Sequence, residues 1–170
     1  MKSEQIVIKA EQTMVKMVLD RWYAQVRNMD NFLSTVTDVQ LQSEIAPNKN
    51  RGVYILGHLI AVNDAMLPVL DFGDKLFPEL YKPFLELPDK AVNEIPSAQE
   101  LRPLWNKLNT VLSSKFDSLQ ADEWFQRHTS VSAEDFEKEP HRNKLNIIVT
   151  RTTHLAYHTG QVILLKDRAV

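Results

Sequence analysis

Apolar residues recur every three or four positions along four long stretches of the chain, the signature of amphipathic helices rather than of alternating strands. In the first, over residues 3–33, Met14, Val18, Trp22, Val26, Met29 and Leu33 form one stripe with charged residues between them. A short helical segment is expected over 38–45, closed by Ala46-Pro47, because the residue before a proline is biased away from helical geometry. The second long helix begins near Asn50. Val53, Leu56, Ile60 and Leu67 mark one of its stripes, and Ile55, His58, Val62 and Ala65 an adjoining one, so His58 faces the core or its edge. Pro68 and then Asp71-Phe72-Gly73-Asp74 end or kink it.

From there to Pro96 the chain has four prolines, Phe77, Tyr81 and Phe84 and no sustained period. Connections of this length are rarely structureless, and a short helical piece over 78–85, packed over one end of the other helices, is expected. The third long helix starts at Ser97, where Ser97-Ala98-Gln99-Glu100 has the form of a capping box. Leu101, Trp105, Leu108, Leu112, Phe116 and Leu119 give its buried face. Residues 121–142 are polar and read as an irregular crossover, and the fourth helix runs over 143–167. The pattern predicts an all-α protein, a four-helix bundle with a long crossover, forming one domain over residues 1–170. In that class, metal and ligand sites are built from side chains on facing helices.

Composition narrows the function. Glycine is scarce at four residues, and most of the eight prolines lie between Pro68 and Pro103, which suits long helices joined by stiff connections. There is no internal repeat and no hairpin turn signal. The absence of cysteine excludes disulfides, thiolate metal sites and a cysteine nucleophile. Any transition-metal site must therefore use His, Asp and Glu. A formal charge of −2 with mixed signs lacks the footprint of nucleic-acid binding. With no leader-like N-terminus and no run read as long enough to span a membrane, a soluble, cytoplasmic protein is expected. Homodimerisation is compatible with the sequence and leaves no distinctive mark on it.

The chemistry concentrates in histidine. His154 and His158, four residues apart, share one helical face and can converge on one ion. They lie on the line Ile147, Arg151, His154, His158, Val162 and Leu165, which steps at helical intervals and places both rings at expected core positions. Two adjacent buried imidazoles without partners are costly, and a divalent ion satisfies both lone pairs. An open metal site takes three protein ligands, and His58 is the third candidate because it lies in a long amphipathic helix. His128 and His141 fall in or beside the crossover, where surface exposure is expected. His154-Leu155-Ala156-Tyr157-His158 carries no glutamate after its first histidine, which disfavours peptide hydrolysis of the zinc-protease kind. The ligand set suits zinc, nickel, iron or manganese.

Gly57-His58-Leu59, together with His154-Leu155-Ala156-Tyr157-His158-Thr159-Gly160-Gln161, resembles the DinB-like (DinB/YfiT-like) superfamily. The resemblance extends in element order and length over nearly the whole chain. It implies a four-helix bundle with His58, His154 and His158 as metal ligands and Gln161 near the site. Some members are thiol S-transferases that use low-molecular-weight bacterial thiols, and others are described as metal-dependent hydrolases. The family's name refers to DNA damage, yet the resemblance implies no DNA-binding chemistry.

Two functions are weighed. As an enzyme, the protein would use the ion to activate a thiol or water towards a small-molecule substrate, with Asp64 and Tyr54 as the nearest candidate proton acceptors in sequence. As a non-catalytic binding or stress-related protein, it would hold a structural metal or none. In that case Phe72, Phe77, Tyr81 and Phe84 would form an exposed partner surface.

Overall fold

The computed structural model describes residues 2–92 and 94–166, with side chains from Gln5 onward. Seven α-helices are described: α1 (Lys2–Thr35), α2 (Asp38–Leu41), α3 (Gly52–Asp64), α4 (Met66–Val69), α5 (Ala98–Ser118), α6 (Ala133–Lys138) and α7 (Lys144–Val162). No strand occurs among the described residues, where β-structure is limited to the isolated bridges Glu44–Arg51 and Arg127–Asn143.

The four long helices share one core. Trp22, Met29 and Phe32 of α1, Leu56, Leu59 and Ile60 of α3, Trp105, Leu108 and Leu112 of α5, and Ile148, Leu155 and Val162 of α7 belong to the same buried cluster. α1 packs on α7, and α3 packs on both α5 and α7. The start of α3 lies against the far end of α7, where a Cβ on Gly52 would come within 2.5 Å of Leu165. These two helices therefore run antiparallel, with His58 facing the middle of α7.

Helix starts follow local chemistry. The Ser97 hydroxyl accepts from the backbone N–H of Glu100 at 3.3 Å, while the Glu100 carboxylate accepts from the backbone N–H of Ser97 at 2.7 Å. The capping box read from the sequence is therefore in place. α2 opens with a second one, Thr37 with Gln40. It closes at Leu41, earlier than the expected 45, because the following residues turn back to pair Glu44 with Arg51.

Several expectations are corrected. Met14 is 52% exposed and Val15 takes its place in the core. With 34 residues, α1 is about 51 Å long against about 28 Å for the 19-residue α7, so its first turns extend beyond the helices that would cover them. The 121–142 crossover is not irregular throughout. It holds a 3₁₀ turn, Asp122–Phe125, that buries Trp124, and then α6, capped by Ser132. The 78–85 piece consists of a 3₁₀ turn, Pro78–Leu80, followed by a π-helical segment, Lys82–Glu86, packed along α3. The expected end of the fourth helix at Asp167 lies outside the described residues. Gly52–Val69, with a mean hydropathy of 1.4, does reach the length and apolarity of a membrane span; it is 72% buried inside the protein, as a core segment is.

Candidate metal centre

His58 is set by a chain of contacts that begins at a glycine. Any Cβ at Gly57 would fall 2.2 Å from the Phe84 ring, so the missing side chain lets that ring lie flat against α3. Phe84 is fully buried there, within the π-helical segment. Its carbonyl is thereby brought to His58, whose Nδ1 donates to it at 2.9 Å. A carbonyl can only accept, so the His58 proton sits on Nδ1 and Nε2 presents a bare lone pair.

α7 supplies the other two rings. His158 Nδ1 donates to the Gln161 side-chain oxygen at 2.7 Å, which leaves its Nε2 bare as well. His154 Nε2 stands 3.2 Å from Nε2 of His58 and 3.1 Å from Nε2 of His158. One proton on His154 cannot serve both neighbours well, and its Nδ1 is buried with no partner. Burial pushes His154 down to about 4, helped by like-charge repulsion from His158, His58 and the Arg151 guanidinium. His158 is also lowered, first by burial and then by His58, against the opposing bond to Gln161. His154 is therefore neutral near pH 7, and the imidazole nitrogens of the three rings converge on one point.

The three rings are only half-buried, whereas the fully buried stripe of α7 runs through Leu145, Ile148, Leu155 and Val162. The expected line through Ile147, Arg151, His154 and His158 is the edge of the core rather than its centre. Two nitrogens bound to one zinc-like ion at about 2.0–2.1 Å lie about 2.8–3.4 Å apart, so the observed spacings fit a shared ion. Nδ1 atoms fixed on a carbonyl and an amide oxygen are the outer hydrogen bonds that orient metal-binding histidines. Among the described residues no Asp or Glu joins the cluster, which leaves room for exogenous ligands.

Other candidates fall elsewhere. His141 is exposed. His128, expected at the surface, is 8% exposed, with its Nδ1 accepting from the backbone N–H of Ser130 at 3.2 Å. The loop around it is tied down by Thr129, whose N–H donates to the Val69 carbonyl at 3.0 Å. Asp64 is not a free base: it is buried and accepts from the backbone N–H groups of Leu76 and Phe77 at 2.8 and 2.9 Å. The Tyr54 hydroxyl donates to the Leu87 carbonyl at 2.6 Å, while its ring stacks beside His58. Of the aromatic patch, Phe77 and Phe84 are buried, Phe72 is packed against the core and only Tyr81 is exposed, so packing accounts for most of it. Surface hollows along α1, one lined by Met17, Arg21 and Val149 and one by Tyr23, Asp30 and Asp117, include none of the three histidines.

No family model matches the sequence, and no curated protein matches it. Among solved structures, the fold is similar to that of a conserved protein from Enterococcus faecalis. The TM-score is 0.62 at 14% identity, over 89% of this chain and 94% of that one. At that identity the likeness concerns the fold alone.

Proposed function

We propose that the chain is a single-domain, DinB-like four-helix bundle in which His58, His154 and His158 hold one divalent ion for chemistry on a small molecule. The observation that carries this reading is the meeting of three Nε2 atoms, two of them stripped of their proton by acceptors fixed on the opposite side of the ring. Without a cation this arrangement sets lone pairs against one another; with one, each nitrogen is satisfied.

Three neutral ligands leave the ion's full charge in place, and that charge lowers the pKa of a thiol or water so that it is nucleophilic near neutral pH. A thiol S-transferase or a hydrolase is the reaction class that follows. The chain's own contribution is positional: Gly57 admits Phe84, Phe84 orients His58, and Gln161 orients His158. A closed structural site would require a fourth protein ligand, and among the described residues no acidic side chain is placed to provide it.

Elemental analysis of protein purified without an affinity tag, followed by saturation with zinc, cobalt, nickel or manganese and dialysis, tests the reading. The expected result is one ion per chain. A chain that retains none of these ions after saturation has no such site.

A further inference from the structure

One turn before His154 on the same face of α7, Arg151 is half-buried and forms no ion pair or side-chain hydrogen bond among the described residues, and its Nε is fully enclosed and unpartnered. The other enclosed arginines are engaged. Arg51 grips Asp89 at 2.7 Å, and Arg102 binds Asp38 and the carbonyls of Leu33 and Val36. A guanidinium keeps its charge under any ordinary condition, so leaving its enclosed Nε–H without an acceptor is costly unless something else supplies one. Its neighbours do not: burial alone acts on Arg151, lowering its pKa from the usual value, with no carboxylate to offset it.

We propose that Arg151 is the binding residue for an oxyanion, a carboxylate or phosphate group carried by the small-molecule substrate of the histidine cluster. The inference rests on reading that cluster as a metal site. Three neutral imidazoles around a divalent ion, with an arginine one turn away and no carboxylate to offset them, make a strongly cationic patch on an otherwise slightly acidic protein. The planar fork of the guanidinium matches the paired oxygens of a carboxylate or phosphate. A substrate anchored there would place its reacting end towards His154 and His158, along the axis of α7.

The test uses cobalt-loaded protein titrated with acetate and, separately, methylphosphonate, with binding followed by the visible absorption of the cobalt. The wild-type protein is expected to bind at least one of them about tenfold more tightly than Arg151→Met does, a difference of about 1.4 kcal/mol. Cobalt affinity should be unchanged, 1-methylimidazole, which is neutral, should bind both proteins alike, and Arg151→Lys should recover part of the loss. The anion with the larger dependence on Arg151 distinguishes a carboxylate substrate from a phosphorylated one. Equal anion affinities in wild type and Arg151→Met overturn the inference alone. It is also overturned if both variants lose cobalt or fail to fold, which would make Arg151 a support of the cluster. Wild-type protein that takes up no cobalt removes the metal reading and this inference with it.

Discussion

Two polar assemblies lie on the same helix and obey opposite rules. At the start of α3, Arg51 and Asp89 leave nothing wanting. The Asp89 carboxylate accepts from the Arg51 backbone N–H at 2.7 Å and from Nε and Nη2 of its guanidinium, while Arg51 Nη1 reaches Gln42. Two turns on, His58 turns a bare nitrogen towards His154, which itself has an orphaned Nδ1, and Nε of Arg151 beyond it finds no acceptor among the described residues. The first assembly completes itself and fastens the chain. The second, on the reading proposed here, is completed by an ion and an anion from outside the chain. Unsatisfied polar groups at the edge of a well-packed core are thus a better guide to function here than the number of polar contacts.

The largest effect should come from removing a member of the open assembly. His58→Ala, His154→Ala and His158→Ala should each lower affinity for the bound ion by about 100-fold or more, since two imidazoles hold a divalent ion poorly. Their melting curves without metal should stay close to wild type, because stability resides in the apolar stripes. Retention of full occupancy by any of the three would remove it from the ligand set, and His141→Ala provides the control that should lose nothing.

Breaking the closed assembly should have the reverse signature. Asp89→Ala leaves a largely buried guanidinium and a helix-start N–H without their acceptor, and should cost about 3 kcal/mol of stability without altering metal affinity. Charge linkage gives a second test. Burial alone would raise Asp89, but the bonds and charge of Arg51 outweigh it and hold the carboxyl below its usual range. A group lowered in the folded state contributes its stability above the unfolded pKa and loses it as pH falls through the folded one. Wild-type stability should therefore decline below about pH 4 more steeply than that of Asp89→Ala, as denaturant titrations at several pH values would reveal.

A smaller loss is expected where the open assembly is held from behind. Gln161→Leu removes the acceptor that fixes the His158 ring and should weaken metal binding by about 10-fold to 100-fold without removing it. Isothermal titration with zinc reads this directly. An unchanged affinity would mean that packing alone orients His158.

The sequence made the long helices legible because their stripes are periodic and their caps are local. Ser97 and Glu100 need only three residues to be recognised, and His154 and His158 only one turn. What stayed hidden depended on contacts between distant segments. Phe84 reads as one more aromatic in a proline-rich stretch until Gly57, 27 positions earlier, is seen to make room for its ring. Asp64 reads as a candidate base until the chain beyond it turns back and offers two N–H groups. His128 looked exposed because its surroundings are polar, yet Thr129 ties that loop onto α4. Arg151 was visible as a residue of the face; its lack of a partner is a property of the folded molecule.

The smallest expected effect sharpens the rule at a position where it does not lead to a site. Asn63 is fully buried in α3, and neither atom of its amide has a partner. Unlike His58, it belongs to no convergence of donors, and its neighbour Asp64 is satisfied without it. A buried amide that makes no hydrogen bond costs stability, and replacing it by an apolar side chain of similar volume removes that cost. Asn63→Leu should accordingly be neutral or stabilise the protein by up to about 1 kcal/mol, a rise of about 2–4 °C in Tm for a chain of this size. Metal affinity and anion binding should not change. If instead Asn63→Leu destabilises the fold by more than about 1 kcal/mol, the amide has a partner in solution, and an ordered water would be the first to look for. If it weakens metal or anion binding, Asn63 belongs to the open assembly, and the boundary between the two halves of α3 must be moved one turn towards its C-terminus.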